Sequence, residues 1–234
     1  KDVGRSFCQR TAVWMVGLLV GLFLIFIRRW AQRQLKNIAE CIDQQVEDSF
    51  MLTVKALALT VVLAVFWPYL LEFPAFLLTR LRGADPFSTG IAGGLITAAR
   101  HLVFLVLLSN ICRRYGLAQA HFQWPESARL TLKYNLRWLI PIIAVVSFIM
   151  GTMDTVSEFE ESDALAKLAL IIHSLAVSVF ASRILRFKGG ITSVLIENNP
   201  QRWLCRLRYV WYPLAIFLPL VALWLAVIGY FYSA

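Results

Sequence analysis

Long apolar runs alternate along this chain with short polar segments. Five runs contain no charged residue, namely Ala12–Ile27, Ala56–Leu71, Trp138–Met153, Leu168–Ser182 and Tyr209–Ala234. A sixth run, Phe87–Ile111, is interrupted only by Arg100 and His101. A bilayer core of roughly 30 Å needs about 20 helical residues, and these runs lack the alternation of a membrane barrel strand. The sequence therefore predicts an all-α polytopic membrane protein with six transmembrane helices.

The predicted spans lie at about residues 11–30, 54–78, 88–111, 138–153, 166–185 and 209–232. They are predicted to form three hairpins, near residues 11–78, 88–153 and 166–232. The second helix of each hairpin contains an aromatic and proline segment, around Pro68, Pro141 and Pro213. This pattern indicates either a true repeat or the ordinary enrichment of aromatics and proline in membrane helices.

Positive charge distinguishes the two sides of the membrane. Residues 28–55, 112–137 and 183–208 contain five, five and six Lys and Arg residues, whereas the segments on the opposite side contain six in all. The positive-inside rule places the three basic segments in the cytoplasm. Both ends of this segment are then predicted to be periplasmic, with residues 1–10 as the end of a periplasmic region. The net charge of +9 reflects this topology and contact with anionic lipid headgroups, and no nucleic-acid partner is predicted.

The basic linkers are predicted to be amphipathic. Ile38, Ile42, Val46 and Phe50 recur every four residues, which indicates a helix that either extends the first span or lies on the headgroups. Interfacial aromatic and basic residues are candidate lipid-headgroup anchors. These candidates are Trp30, Arg113, Arg114, Trp124, Trp203 and Arg206.

A few polar residues lie inside the predicted spans. Glu72 and Arg100 are placed at depths that differ by roughly 6 Å on adjacent antiparallel helices, given about 1.5 Å of rise per residue. They are a candidate intramembrane ion pair, with a structural role or a role in permeation or sensing as the alternatives. His101 and His173 could ligate a haem as axial partners. Histidines that serve only helix packing are far commoner, so no cofactor is predicted.

Small residues at a spacing of four predict close helix contacts. The candidate helix-packing residues are Gly17, Gly21, Gly90, Gly94, Ser174, Ser178 and Ser182.

Signatures of catalysis and of coupled transport are missing from the sequence. It has no Walker loop, GxSxG or HExxH motif, and its four cysteines form no CxxC pair. It also lacks a chain of intramembrane acids and the regularly spaced arginines of a voltage sensor. We therefore predict no enzyme activity, no catalytic residue, no metal site and no small-molecule substrate.

The second linker carries a distinctive string. Cys112–Pro125 reads CRRYGLAQAHFQWP, and NLRWLIP follows at Asn135–Pro141. These residues resemble the inner-membrane helical domain of the large MscS-type mechanosensitive channels, the MscK- and MscM-like group. Arg208–Ala234 is similar to the next outward helix of that family, and the resemblance covers most of the chain from about Phe66 onward.

The resemblance implies a multi-pass protein of the bacterial inner membrane, with membrane lipids and identical subunits in a heptamer as its partners. It implies that the chain is part of a longer protein, whose pore helix and cytoplasmic β-rich vestibule are not in this chain. The predicted function is a peripheral tension-sensing transmembrane region of a mechanosensitive ion channel, which opens under membrane tension to release ions and osmolytes during hypo-osmotic shock.

Two alternatives remain. The first is a membrane assembly or scaffold subunit. The second is half of a secondary transporter, which would need a polar cavity near the membrane midplane. Only Glu72, Arg100, His101 and His173 could supply such a cavity.

Overall fold

Every regular element in the described part of this computed structural model is a helix. The structure describes residues 2–44, 50–81, 85–120, 122–155, 160–186 and 208–228. In chain order the helices are α1 Asp2–Gln44, α2 Phe50–Leu81, α3 Pro86–Ile111, α4 Leu117–Ala120, α5 Glu126–Thr155, α6 Glu160–Ile184 and α7 Arg208–Val227. The all-α prediction is confirmed.

Within the described ranges, five helices are long and apolar enough to cross a membrane. The segments concerned are Met15–Glu40, Phe50–Arg80, Pro86–Ile111, Glu126–Thr155 and Ala164–Ile184. In α7 the apolar segment Tyr212–Leu225 is shorter than the roughly 17 residues that a crossing needs. The sixth span therefore stays a prediction, and its predicted last residues, 229–232, lie outside the described ranges.

The first linker begins as an extension of the first span. α1 continues to Gln44 without a break, and its residues Ala31, Leu35 and Ile38 are buried in a cluster with residues of α2. Of the four residues in the predicted stripe, Ile38 lies in this cluster, and Phe50, at the start of α2, has a side chain that is 81% exposed. The side chain of Ile42 and the whole of Val46 lie outside the described part of the chain.

The long helices pack in the order in which they occur in the chain. α3 packs most extensively against α5 and then against α2, while α1 packs on α2, α6 on α5 and α7 on α6. The short α4 lies against α1 and α2. Among the described residues, helices that are distant in the chain make no extensive contact, so the helices form an open row with α3 and α5 at its centre.

Large apolar side chains cover the outside of this row. Phe23 of α1, Phe104 of α3, Val145 of α5 and Trp224 of α7 are each at least 60% exposed. A helix that is apolar on all sides is stable in water only when buried, so these surfaces fit a lipid environment. The three-hairpin arrangement stays a prediction. The two helices of the predicted middle hairpin, α3 and α5, also pack on helices of the other two hairpins, α3 on α2 and α5 on α6.

Proline occurs inside every second helix of the row. α2 contains Pro68 and Pro74, α5 contains Pro141, and α7 contains Pro213 and Pro219. In α3 the proline is Pro86, at the first position, where Asp85 caps the helix by accepting a hydrogen bond from the Ser88 backbone N–H at 3.3 Å. Proline at a first position replaces no intrahelical hydrogen bond, whereas an internal proline removes one.

Glycines allow α3 and α5 to approach each other closely. A Cβ atom added at Gly94 would lie 2.7 Å from the Phe148 carbonyl oxygen, and one added at Gly151 would lie 2.7 Å from the Gly93 carbonyl oxygen. Because the obstacles are backbone atoms, no side-chain rotation would relieve them. Gly90, one turn before Gly94, is buried as well.

α1 and α2 are joined by a different contact. A Cβ at Gly17 would overlap the ring of Phe73, and the Tyr69 hydroxyl donates a hydrogen bond of 2.9 Å to the Gly17 carbonyl oxygen. Tyr69 and Phe73 also stack, with ring centroids 5.7 Å apart. A Cβ at Gly21 would make only an ordinary contact, 4.0 Å from the Tyr69 ring.

We expect Gly94→Ala and Gly151→Ala to destabilise the folded protein by roughly 1–3 kcal/mol each, the usual range for overpacking. Gly21→Ala is the matched control, because its methyl group fits and alanine favours a helix over glycine by up to about 1 kcal/mol. Thermal unfolding of the three variants in lipid nanodiscs, followed by circular dichroism, measures the difference. Equal midpoints for all three would contradict the close crossing of α3 and α5.

Candidate functional site

The linker between α3 and α5 is folded into a compact turn. The Gly116 N–H donates to the Arg113 carbonyl oxygen at 2.8 Å, and the Trp124 N–H donates to that of Ala118 at 2.8 Å. A Cβ at Gly116 would lie 2.7 Å from the Ile111 carbonyl oxygen, so this position requires glycine. We call the end of the row that contains this turn the linker end.

The side chain of Gln119 stabilises the turn. Its Oε1 accepts a hydrogen bond from the Tyr115 backbone N–H at 3.2 Å and another from Nη1 of Arg129 at 2.8 Å. Tyr115 has a φ of 62°, and Gln123 has a φ of 48°, a region that residues other than glycine rarely occupy. One amide oxygen therefore connects a strained linker residue to the start of α5.

Cys112 is the buried residue that connects α3 to this turn. It packs in a cluster with Leu132 and Leu136 of α5. Burial raises the pKa of the thiol to about 11, although the charges of Arg129 and Lys133 oppose the change. The neutral thiol is thus the stable form in the folded protein.

Positive charges lie close together at the linker end. Burial lowers the pKa of the Arg113 guanidinium, and the nearby charge of Arg28 lowers it further. No carboxylate within salt-bridge distance compensates these two arginines in the described part of the chain, where the ion pair is Lys36–Glu40 on α1.

The candidate headgroup anchors occupy several environments. Trp30 and Arg114 are exposed, and the Arg114 guanidinium lies 5.4 Å from the ring centroid of Tyr115. Arg113 is half-buried, and Trp124 is partly buried against the cluster that contains Cys112. Trp203 and Arg206 lie outside the described residues. Headgroup contact stays a prediction for all six.

Glu72 and Arg100 do not form an ion pair in this structure. Both side chains are exposed on the surface of the row, and no salt bridge within 4 Å joins them among the described residues. Their pairing and any functional role remain predictions.

His101 of α3 and His173 of α6 lie in direct contact. Their ring centroids are 5.3 Å apart with an interplanar angle of 58°, and Nδ1 of each ring is buried without a hydrogen-bond partner in the described part of the chain. Axial haem ligands must lie on opposite faces of the macrocycle, so a direct ring contact does not fit a shared haem. The described residues also contain no group of three or more His, Cys, Asp or Glu residues that could hold a metal ion.

The three candidate serines of α6 have different surroundings. The Ser178 hydroxyl donates to the Ile216 carbonyl oxygen of α7 at 3.1 Å, whereas the Ser182 hydroxyl donates to Val179 of its own helix at 2.8 Å. Ser174 is buried. The stripe thus provides one hydrogen bond between helices.

Several residues were not predicted to matter. Gly93 and Gly151 form the close crossing with Gly94, and Gly151 could have been noticed as a lone glycine within an apolar run. The role of Gln119 had no sequence signal, because it depends on how the linker turns back toward Arg129.

Comparison with known proteins gives a consistent result. Residues 11–234 match the family model described as mechanosensitive ion channel inner membrane domain 1. The chain is 29% identical over 227 residues to the miniconductance mechanosensitive channel MscM of Escherichia coli strain K12. That alignment covers 93% of this chain and 19% of MscM, so the chain spans about a fifth of its relative. No solved structure matches the chain significantly.

We expect Gln119→Leu to lower the free energy of local opening of residues 112–125 by roughly 1–3 kcal/mol, because the Tyr115 N–H and Arg129 lose their acceptor. Gln119→Glu is the control, since a carboxylate accepts both hydrogen bonds. Hydrogen exchange of the linker amides measures the effect. Unchanged protection in Gln119→Leu would contradict the proposed role of this side chain.

We expect Cys112 to react slowly with iodoacetamide at pH 8, because its raised pKa leaves roughly a hundredfold fewer thiolates than a pKa of 9 would. The stability that the buried neutral thiol contributes is full below pH 9 and is lost as the pH rises toward 11. The test uses a variant in which Cys8, Cys41 and Cys205 are serine. Its control carries Ser127→Cys, an exposed position, in place of Cys112. Equal rates at pH 8 would contradict the burial of Cys112.

Proposed function

Because this chain belongs to the family of mechanosensitive ion channel inner membrane domains, we propose that it is the peripheral tension-sensing region of a channel that releases ions and osmolytes during hypo-osmotic shock. The family is one of mechanosensitive channels and not of enzymes, and the chain is a multi-pass inner-membrane region of such a channel. The sensing role, the release of osmolytes and the assembly are our proposals.

The open row of helices is the observation that supports this role. In a closed bundle one side of every helix faces the bundle interior. In a row each helix is covered only by its neighbours, so both faces of the row contact the bilayer. Side chains such as Phe104 and Val145, on the two central helices, are 74% and 60% exposed. The row therefore has a large lipid-facing perimeter for its number of helices.

Membrane tension acts on the row through the bilayer area that the row occupies. It shifts a conformational equilibrium only by the free-energy difference that it creates between two states, and the state that occupies more bilayer area is favoured. Helices that tilt or that differ in length from the bilayer core deform the lipid around them at a modest free-energy cost. Flattening of the row under tension would then pull on the pore helices elsewhere in the protein.

We further propose six spans in three hairpins, with basic linkers in the cytoplasm, both ends of this segment in the periplasm, and identical subunits assembled as a heptamer. The excess of Lys and Arg in residues 28–55, 112–137 and 183–208 supports this orientation. Membership of a channel family favours this function over a scaffold subunit or a transporter half.

Deletion of residues 11–234 from the full-length channel should raise the tension needed for opening in patches of giant spheroplasts. Deletion of residues 11–81 alone should have a smaller effect, because it removes only α2 and most of α1, at one end of the row. Single-channel conductance is the control, since an unchanged value shows that the pore has assembled. A conducting channel whose tension threshold is unaffected by either deletion would overturn the sensing role.

A further inference from the structure

A cavity of about 600 Å³ opens at the linker end of the row, between α1, α2, α3 and α5. Ligand sites in proteins commonly measure roughly 300–1,000 Å³. Its lining combines basic side chains with an apolar wall and contains no acidic residue.

The α5 side of the cavity is a single helical stripe. Lys133, Arg137, Ile140 and Ala144 line it, and their spacings of four, three and four residues place them on one face of the helix. The stripe is basic toward the start of α5 and apolar toward the helix middle. At about 1.5 Å per residue, the apolar part extends roughly 10 Å beyond Arg137.

The α3 side has the opposite order. Leu102 and Val106 come first, and Ser109 and Asn110 follow near the end of the helix. α3 and α5 are antiparallel, because the end of α3 packs on the first half of α5 at Leu132. The polar ends of both stripes therefore meet at the linker end, and their apolar ends meet deeper in the row.

α1 adds a third cation to the polar end. Arg28 is half-buried, and its guanidinium carbon lies 4.9 Å from the ring centroid of Phe66 and 5.9 Å from that of Trp67. Such contacts hold the cation in place without neutralising it. In the described part of the chain, Arg28, Lys133 and Arg137 have no carboxylate within salt-bridge distance.

We propose that this cavity binds one anionic membrane phospholipid. Its phosphate lies among Arg28, Lys133 and Arg137, and an acyl chain runs along the apolar wall toward Ala144. Arg28 is partly buried, and Lys133 and Arg137 are exposed at the polar end. A partly buried cation without a counter-charge is costly, and a phosphate accepts hydrogen bonds from arginine and lysine. Ser109 and Asn110 can donate to the remaining polar atoms of the headgroup. A zwitterionic headgroup brings its own cation and fits this polar end less well.

The cavity and an anionic phospholipid match because each is charged at one end and apolar at the other. A free phosphate would use only the polar end and leave the apolar wall empty, while a neutral lipid would leave three cations unpaired. An anionic phospholipid satisfies both ends at once. The inference depends on immersion in the membrane and not on tension sensing, so each proposal can fail without the other.

The test uses the full-length protein purified in detergent and supplied with equal amounts of phosphatidylglycerol and phosphatidylcholine, and native mass spectrometry measures the retained lipids. We expect phosphatidylglycerol to be retained preferentially. Arg28→Gln should lower its retention about fivefold, which corresponds to about 1 kcal/mol per basic residue. Arg28→Lys should preserve most of it. Arg29→Gln is the matched control, since it removes the same charge from the neighbouring, exposed residue.

A second variant, Ala144→Phe, fills the apolar end and leaves the charges in place. We expect it to lower lipid retention but not the weak binding of inorganic phosphate, with circular dichroism as a check on folding. Equal losses in Arg28→Gln and Arg29→Gln would show general surface attraction and overturn the site. Equal retention of the two lipids, or full retention in a folded Ala144→Phe variant, would overturn it as well.

Discussion

The close approach of α3 and α5 is the constraint on which the rest of the row depends. Lipid tails are as apolar as leucine, so helices in a membrane gain little from hydrophobic burial and associate through close packing. At Gly94 and Gly151 the backbones approach so closely that an added methyl group would overlap carbonyl oxygens. α2 packs on one side of this pair and α6 on the other, so the positions of the outer helices follow from this crossing.

The linker adds a second fixed point at the end of the same pair. α3 and α5 are connected through a turn in which Gln119 contacts both Tyr115 and Arg129, and in which Cys112 is buried. The two helices are thus held by glycine contacts toward the end opposite the linker and by hydrogen bonds at the linker end. Movement within the row is then easier between this pair and its neighbours than within the pair.

The sequence predicts the helical class well, because an uncharged run long enough to cross a bilayer has few structures other than a helix that satisfy its backbone hydrogen bonds in lipid. It predicts the packing faces poorly. Leu102 is buried and Phe104 is 74% exposed, yet both are apolar, because a lipid-facing position requires the same chemistry as a protein-facing one. Only polar or charged residues in or beside an apolar run distinguish one helix face from another, as Lys133 and Arg137 do on α5. The contact of His101 with His173 was not predictable, since nothing in either segment specifies that the two side chains meet.

Proline inside alternate helices has a mechanical consequence. Pro68, Pro141 and Pro219 each remove a backbone hydrogen bond within a helix of the row, while α1, α3 and α6 have no proline in their interiors. Sharp bends in helices concentrate at such positions. Helices with an internal proline therefore alternate along the row with helices that lack one. A lateral force on the row would bend the proline-containing helices at their prolines, while the helices between them stay straight.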